Sequence, residues 1–132
     1  MAEENVELLR AWIEAFNGRD HDGIARLHHP SIEWQTSVED PDATIHRGQE
    51  AVRRYIDGYL DAFPDLHIEV TECFPVGNDR VFATNHFTGH SANGVPMDWL
   101  LTTVTTYELG RVLLVTEYFD RTQALEAVGL RE

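Results

Sequence analysis

Hydrophobic positions recur in two periods along the chain, and the change from one to the other falls near its middle. Val6, Leu9, Ile13 and Phe16 repeat at helical spacing, with Leu8 and Trp12 widening the stripe. Asn17-Gly18 ends this helix, because both residues tolerate the left-handed backbone of a helix terminus. Asp20 is a suitable N-cap for a second, shorter helix through Ile24 and Leu27, closed by His29-Pro30. Residues 31–35 alternate as a short strand does, and the acidic, turn-rich 37–44 stretch reads as a loop. After a lead-in over 45–48, the positions Val52, Tyr55, Ile56, Tyr59, Leu60 and Phe63 give the clearest helix, which Pro64-Asp65 ends.

Past residue 65 the period drops to two. Strands are expected over 66–76, 80–89, 97–109 and 112–119, separated by Gly77-Asn78-Asp79, by residues 92–96 and by Gly110. A closing helix follows Asp120, with Leu125 and Val128 inward and Gly129 as its stop. Long strands joined by tight turns make an antiparallel meander. Helices segregated from it make the fold class α+β, with no repeat or linker to divide residues 1–132 into more than one domain.

Composition narrows the function classes. With 42% hydrophobic residues the chain can bury one sizeable core. Twenty-three acidic residues against ten Arg and no Lys give a net charge of −13, which repels phosphate backbones and anionic lipids. Nucleic acid and membrane surfaces are therefore not expected partners. Cys73 is alone, which excludes an internal disulfide and a thiol metal cluster. The N-terminal residues lack the basic-then-apolar order of a signal peptide, and no apolar stretch nears the ~20 residues of a membrane span. A cytoplasmic location is the expectation.

Three segments, 11–34, 46–66 and 117–130, together with the strands between them, resemble the SnoaL-like polyketide cyclases. That family lies within the nuclear transport factor 2-like superfamily. The resemblance implies a cone-shaped fold in which a curved antiparallel sheet wraps around three helices and encloses a pocket, with a short C-terminal helix outside. It also implies a small hydrophobic ligand, no cofactor, and a homodimer formed through the outer face of the sheet. The activities it spans are diverse: cyclases, isomerases, lyases and binding domains without chemistry.

Asp120 stands where SnoaL-like cyclases carry an acid/base Asp, at the end of the last strand. Its spacing to Gln123 is equally that of a capping box, with Asp as plain N-cap. His46, just before the long helix, is placed either to serve the pocket or to sit in a surface loop. One of Asn85 and His86 must face inward if their strand alternates. His86 and His90 stand about 13 Å apart on a strand, too far to share a metal ion.

Trp34, Tyr59, Phe63 and Trp99 would give the pocket a stacking surface, and Thr103 and Tyr118 inward hydroxyls. Tyr118 shares the parity of Asp120, so both are expected to face the pocket together. Ketosteroid isomerases of this fold use a Tyr and an Asp at positions that align here with Trp12 and Trp34, neither of which can do that chemistry. The Asp-Arg-Asp set of limonene-type epoxide hydrolases is likewise not matched, since no inward Arg is found among residues 97–109. The leading expectation is a cofactor-independent enzyme acting by acid/base chemistry on a hydrophobic cyclic or aromatic carbonyl compound, with Asp120 shuttling the proton and His46 or His86 polarising or positioning the carbonyl. The other is a non-catalytic ligand-binding or assembly module.

Overall fold

The computed structural model describes residues 2–37 and 41–130. Helix α1 (Ala2–Asn17) and helix α2 (His21–Leu27) lead into strand β1 (His28–Gln35) and a short edge strand β2 (Ile45–Arg47). Helix α3 (Gln49–Ala62) is followed by the meander β3 (His67–Val76), β4 (Arg80–His90), β5 (Pro96–Glu108) and β6 (Arg111–Tyr118). Helix α4 (Arg121–Ala127) closes the chain. The six strands form one curved sheet in the order β2-β1-β6-β5-β4-β3. Every pairing is antiparallel except β1 with β6. The chain is thus α+β, as its pattern predicts.

Two elements differ from the sequence reading. β1 begins at His28 rather than at residue 31, directly off the α2 C-cap, and residues 45–47 are a strand because Trp34 pairs with His46 on the sheet edge. Of the expected loop at 37–44, residues 38–40 lie outside the described residues.

α1 lies against β3 and β4, and α3 against β1 and β2, so both fill the concave side of the sheet. Their stripes supply Leu9, Trp12, Phe16, Val52, Ile56 and Leu60 to a core completed by Ile32, Ile68 and Val81. Each such side chain stabilises the fold by roughly 1.5–3 kcal/mol on burial. α4 packs on the opposite, convex face, where Ala124 and Leu125 meet Phe82 and Val104, with Tyr118 alongside.

The β5–β6 hairpin sets which residues of β6 face inward. Leu109 (φ 52°) and Gly110 (φ 74°) both adopt left-handed backbone, as a two-residue turn with the twist of the flanking strands requires. Glycine does this freely. Leu109 does so at 91% exposure, where its side chain meets no steric neighbour from the core. Just past the turn the register slips: Tyr107 pairs with Val112, but Thr106 pairs with Leu114, which leaves Leu113 as a bulge. Inward positions thereafter are Val115 and Glu117.

A buried carboxyl between two spaces

Glu117 lies at the centre of the candidate site. It projects from β6 into the cone and is 5% exposed. Trp34 Nε1–H donates to its Oε2 at 2.8 Å, and the Tyr55 hydroxyl donates to both oxygens, at 3.0 and 3.1 Å. Among the described residues no Arg or His forms an ion pair with it. Burial pushes the carboxyl up to about 7, against the two hydrogen bonds, which pull it down. Desolvation wins because an indole and a phenol stabilise a carboxylate less than water does, and no full charge compensates.

Glu117 borders two spaces. The inner one is a cavity of about 60 Å³ under α1 and α3, with Trp12, Phe16 and Ile56 on its helical side. Asn85, Thr103 and Tyr107 line its sheet side. The outer one is a hollow of about 320 Å³, lined by Thr44, His46 and Phe119 among others. Tyr55, Tyr59 and Glu117 line both, so they form the partition.

His46 reaches this partition from β2. Its ring stacks on Tyr55 with centroids 4.4 Å apart, and burial pulls its pKa below the usual histidine value. The Tyr55 hydroxyl is held well above the ordinary phenol range, first by burial and then by the neighbouring Glu117. Aromatic contacts continue outward: Tyr55 meets Tyr59 edge-on at 5.2 Å, Tyr59 meets Phe63, and Phe63 meets Trp99.

The expected site residues divide accordingly. Trp34, Tyr59, Asn85 and Thr103 line the inner cavity, and His46 lines the hollow beside Glu117. Phe63 and Trp99 stand one ring further out, Trp99 stacking at 5.1 Å on Phe87, which does line the cavity. β4 presents Asn85 inward, so His86 faces the other way, where its Nε2 lies 2.7 Å from Asp98 Oδ1.

Asp120 and Tyr118 are not brought to the cavity. Asp120 is exposed and caps α4, accepting from Thr122 N–H at 2.9 Å. Tyr118 packs on the convex face with Phe82 and Val104. The Leu113 bulge is the reason, since it gives the inward position to 117 rather than 118.

Glu117, Tyr55 and Trp12 were absent from the expected site. The signal for Glu117 was a single charged residue in the otherwise uncharged 112–119 run. Trp12 and Trp34 do face the cavity, but neither indole N–H is spare: Trp12 donates to His28 Nε2 at 3.0 Å, and Trp34 to Glu117. His28 therefore offers a lone pair and is neutral, its pKa lowered to about 4 by burial. No cluster of three or more metal-ligating side chains occurs among the described residues. No helix among them is long and apolar enough to cross a membrane.

Residues 9–115 match a protein family described as the SnoaL-like domain; the match stops two residues short of Glu117. No curated protein matches the chain. Among solved structures, Bal32a from a soil-derived mobile gene cassette is similar at 24% identity, covering 89% of each chain with a TM-score of 0.80. RV0760c of Mycobacterium tuberculosis, in complex with estradiol-17β-hemisuccinate, is 17% identical over 89% of this chain and 94% of its own, with a TM-score of 0.77. TerC, co-crystallised with polyporic acid, is 19% identical over 96% and 98%, with a TM-score of 0.76.

Proposed function

This chain belongs to the SnoaL-like domain family, and on that premise we propose that its cavity takes up a small cyclic carbonyl compound and moves a proton on it. Glu117 is the donor and His46 the acceptor. The observation that carries the reading is Glu117 itself, a carboxyl in an apolar cavity whose pKa is raised to about 7. A group poised there is half protonated at neutral pH, where a general acid contributes roughly 10²- to 10⁴-fold to rate.

The chemistry is proton transfer and needs no cofactor. Glu117 gives its proton to the substrate carbonyl oxygen while a ring nitrogen of neutral His46 removes a proton from the adjacent carbon. The C–H electron pair becomes a C=C bond, and the C=O π pair moves to oxygen, leaving an enol. Where the substrate carries a C=C bond conjugated with the enol, return of the proton from His46 to its far carbon completes an isomerisation; attack of the enol carbon on a second carbonyl, whose oxygen takes the proton from His46 while the enol O–H returns its proton to Glu117, completes a ring closure. Tyr55, stacked on His46 and bonded to Glu117, holds the two groups in register.

Size decides how the ligand sits. An apolar cavity of roughly 150 Å³ holds a benzene ring, whereas the inner space is about 60 Å³. A ring therefore enters with the half-buried Tyr59 swung aside, which joins the inner space to the hollow. Relatives of this fold hold a steroid ester in one case and polyporic acid in another, which supports a small-molecule role.

The test is solvent-deuterium exchange at the carbon beside the carbonyl in a panel of cyclic and aryl ketones, followed by NMR in D₂O. The expected result is exchange by the native protein and a loss of at least about 100-fold in Glu117→Gln. Ketones that bind without exchanging, or exchange that survives the substitution, would overturn the assignment and favour a binding module.

A further inference from the structure

Two residues that line the inner cavity, Asn85 and Tyr107, each carry a buried polar atom with no hydrogen-bond partner, and that of Asn85 has a definite orientation. Asn85 is 3% exposed. Its Nδ2 donates to the Leu101 carbonyl at 3.1 Å and to Thr103 Oγ1 at 3.2 Å. A backbone carbonyl only accepts, so the amide nitrogen must lie on that side and Oδ1 on the other. Oδ1 is buried, borders the cavity through Asn85, and has no hydrogen-bond partner. Leaving such an acceptor unmet costs about 1–3 kcal/mol, so a native core does not retain one without compensation.

Glu117 lies on the same concave surface. Thr103, which receives the Asn85 amide, pairs directly with Glu117 across β5 and β6. β4 and β6 are two strand spacings apart, roughly 10 Å. The two residues thus stand on opposite sides of β5, so a ligand that meets both carries its polar groups at opposite ends.

We propose that Asn85 Oδ1 selects the ligand, and that the substrate class is a monocyclic carbonyl compound carrying a hydroxyl or N–H group across the ring from its carbonyl. The donor group bonds Asn85 Oδ1 while the carbonyl faces Glu117. The assignment rests on the proposed function for the placement of the carbonyl, but the donor requirement stands on Asn85 alone. An ether or methyl in place of the hydroxyl fills the same space and leaves the acceptor unpaired, so discrimination comes from the unmet bond rather than from shape.

The probes are 4-hydroxy-, 4-amino-, 4-methoxy- and 4-methylacetophenone, with affinities measured by calorimetry and exchange of the acetyl protons by NMR. The hydroxy and amino compounds are expected to bind about tenfold or more tighter than the other two. Asn85→Leu should bring all four within twofold of one another. Glu117→Gln should leave the ranking intact while abolishing exchange. Equal binding of hydroxy and methoxy compounds, or no binding of any, overturns the inference. The expected ranking in the native protein with no exchange there overturns the proposed chemistry and leaves the donor requirement standing. If Asn85→Leu does not fold, intermolecular NOEs from the aryl protons of the hydroxy compound to the Asn85 side-chain amide decide the matter; contacts elsewhere overturn it.

Discussion

Trp34 and Glu117, 83 residues apart in sequence, are joined by a 2.8 Å hydrogen bond across the one parallel pairing of the sheet. The indole is on the edge-side strand β1 and the carboxyl on β6, so the site exists only once the two ends of the chain have met. Removing the donor while keeping an aromatic ring should raise the carboxyl further. Trp34→Phe is expected to move the Glu117 midpoint above 7 and to cost about 1–3 kcal/mol of stability. A ¹³C-detected titration of the side-chain carboxyl, with a denaturant melt alongside, checks both.

The raised pKa has a stability consequence of definite sign. In the unfolded chain Glu117 releases its proton near 4.5, whereas in the fold it keeps it to about 7. Between those values the native state binds more protons, so stability contributed by this group is present at low pH and lost as pH rises through the window. The full effect is about 3 kcal/mol. Glu117→Gln should therefore gain on the native protein from pH 4.5 to 7 and hold a constant lead above it, as urea unfolding at stepped pH would show.

His28 runs the other way. Its pKa falls from 6.5 to about 4 because burial disfavours the cation, so below 6.5 the unfolded state binds the extra proton. Stability from this group is full above 6.5 and lost as pH falls to 4, again by about 3 kcal/mol. His28→Gln, which can still accept from Trp12, should flatten that slope. Between pH 4.5 and 6.5 the contributions of Glu117 and His28 to the native protein's profile therefore oppose one another.

Asp120 is expected to behave as a helix cap in these assays. Asp120→Ala should lower stability by about 1 kcal/mol through the lost bond to Thr122 N–H, while Asp120→Asn stays close to native. Neither should move the Glu117 titration. A shifted carboxyl midpoint in Asp120→Asn would show that the two groups communicate.

The α+β class, both long helices and the order of every element but β2 are legible in the sequence because their periods are strong and their stop signals are local. The α1 and α3 stripes are the ones that fill the cone. What pattern reading could not reach is the parity of β6. Val112, Leu113, Leu114 and Val115 are all apolar, so no alternation distinguishes the faces, and the Leu113 bulge shifts the count by one. That single residue separates an expected pair of Tyr118 and Asp120 from the observed Glu117. Asn85 and His86 posed the same ambiguity on β4, where only pairing with β5 fixed the inward residue.

Burial acts in one direction on every shifted ionisable group of the interior. It holds His28 unprotonated, and it holds Glu117, Cys73, Tyr55 and Tyr107 protonated. Between the His28 midpoint near 4 and the Glu117 midpoint near 7 these groups are thus mostly uncharged, within a chain whose net charge is −13. An anion is repelled on approach and finds no countercharge on arrival, and a cation must shed its hydration for walls that are neutral. A neutral solute meets neither obstacle.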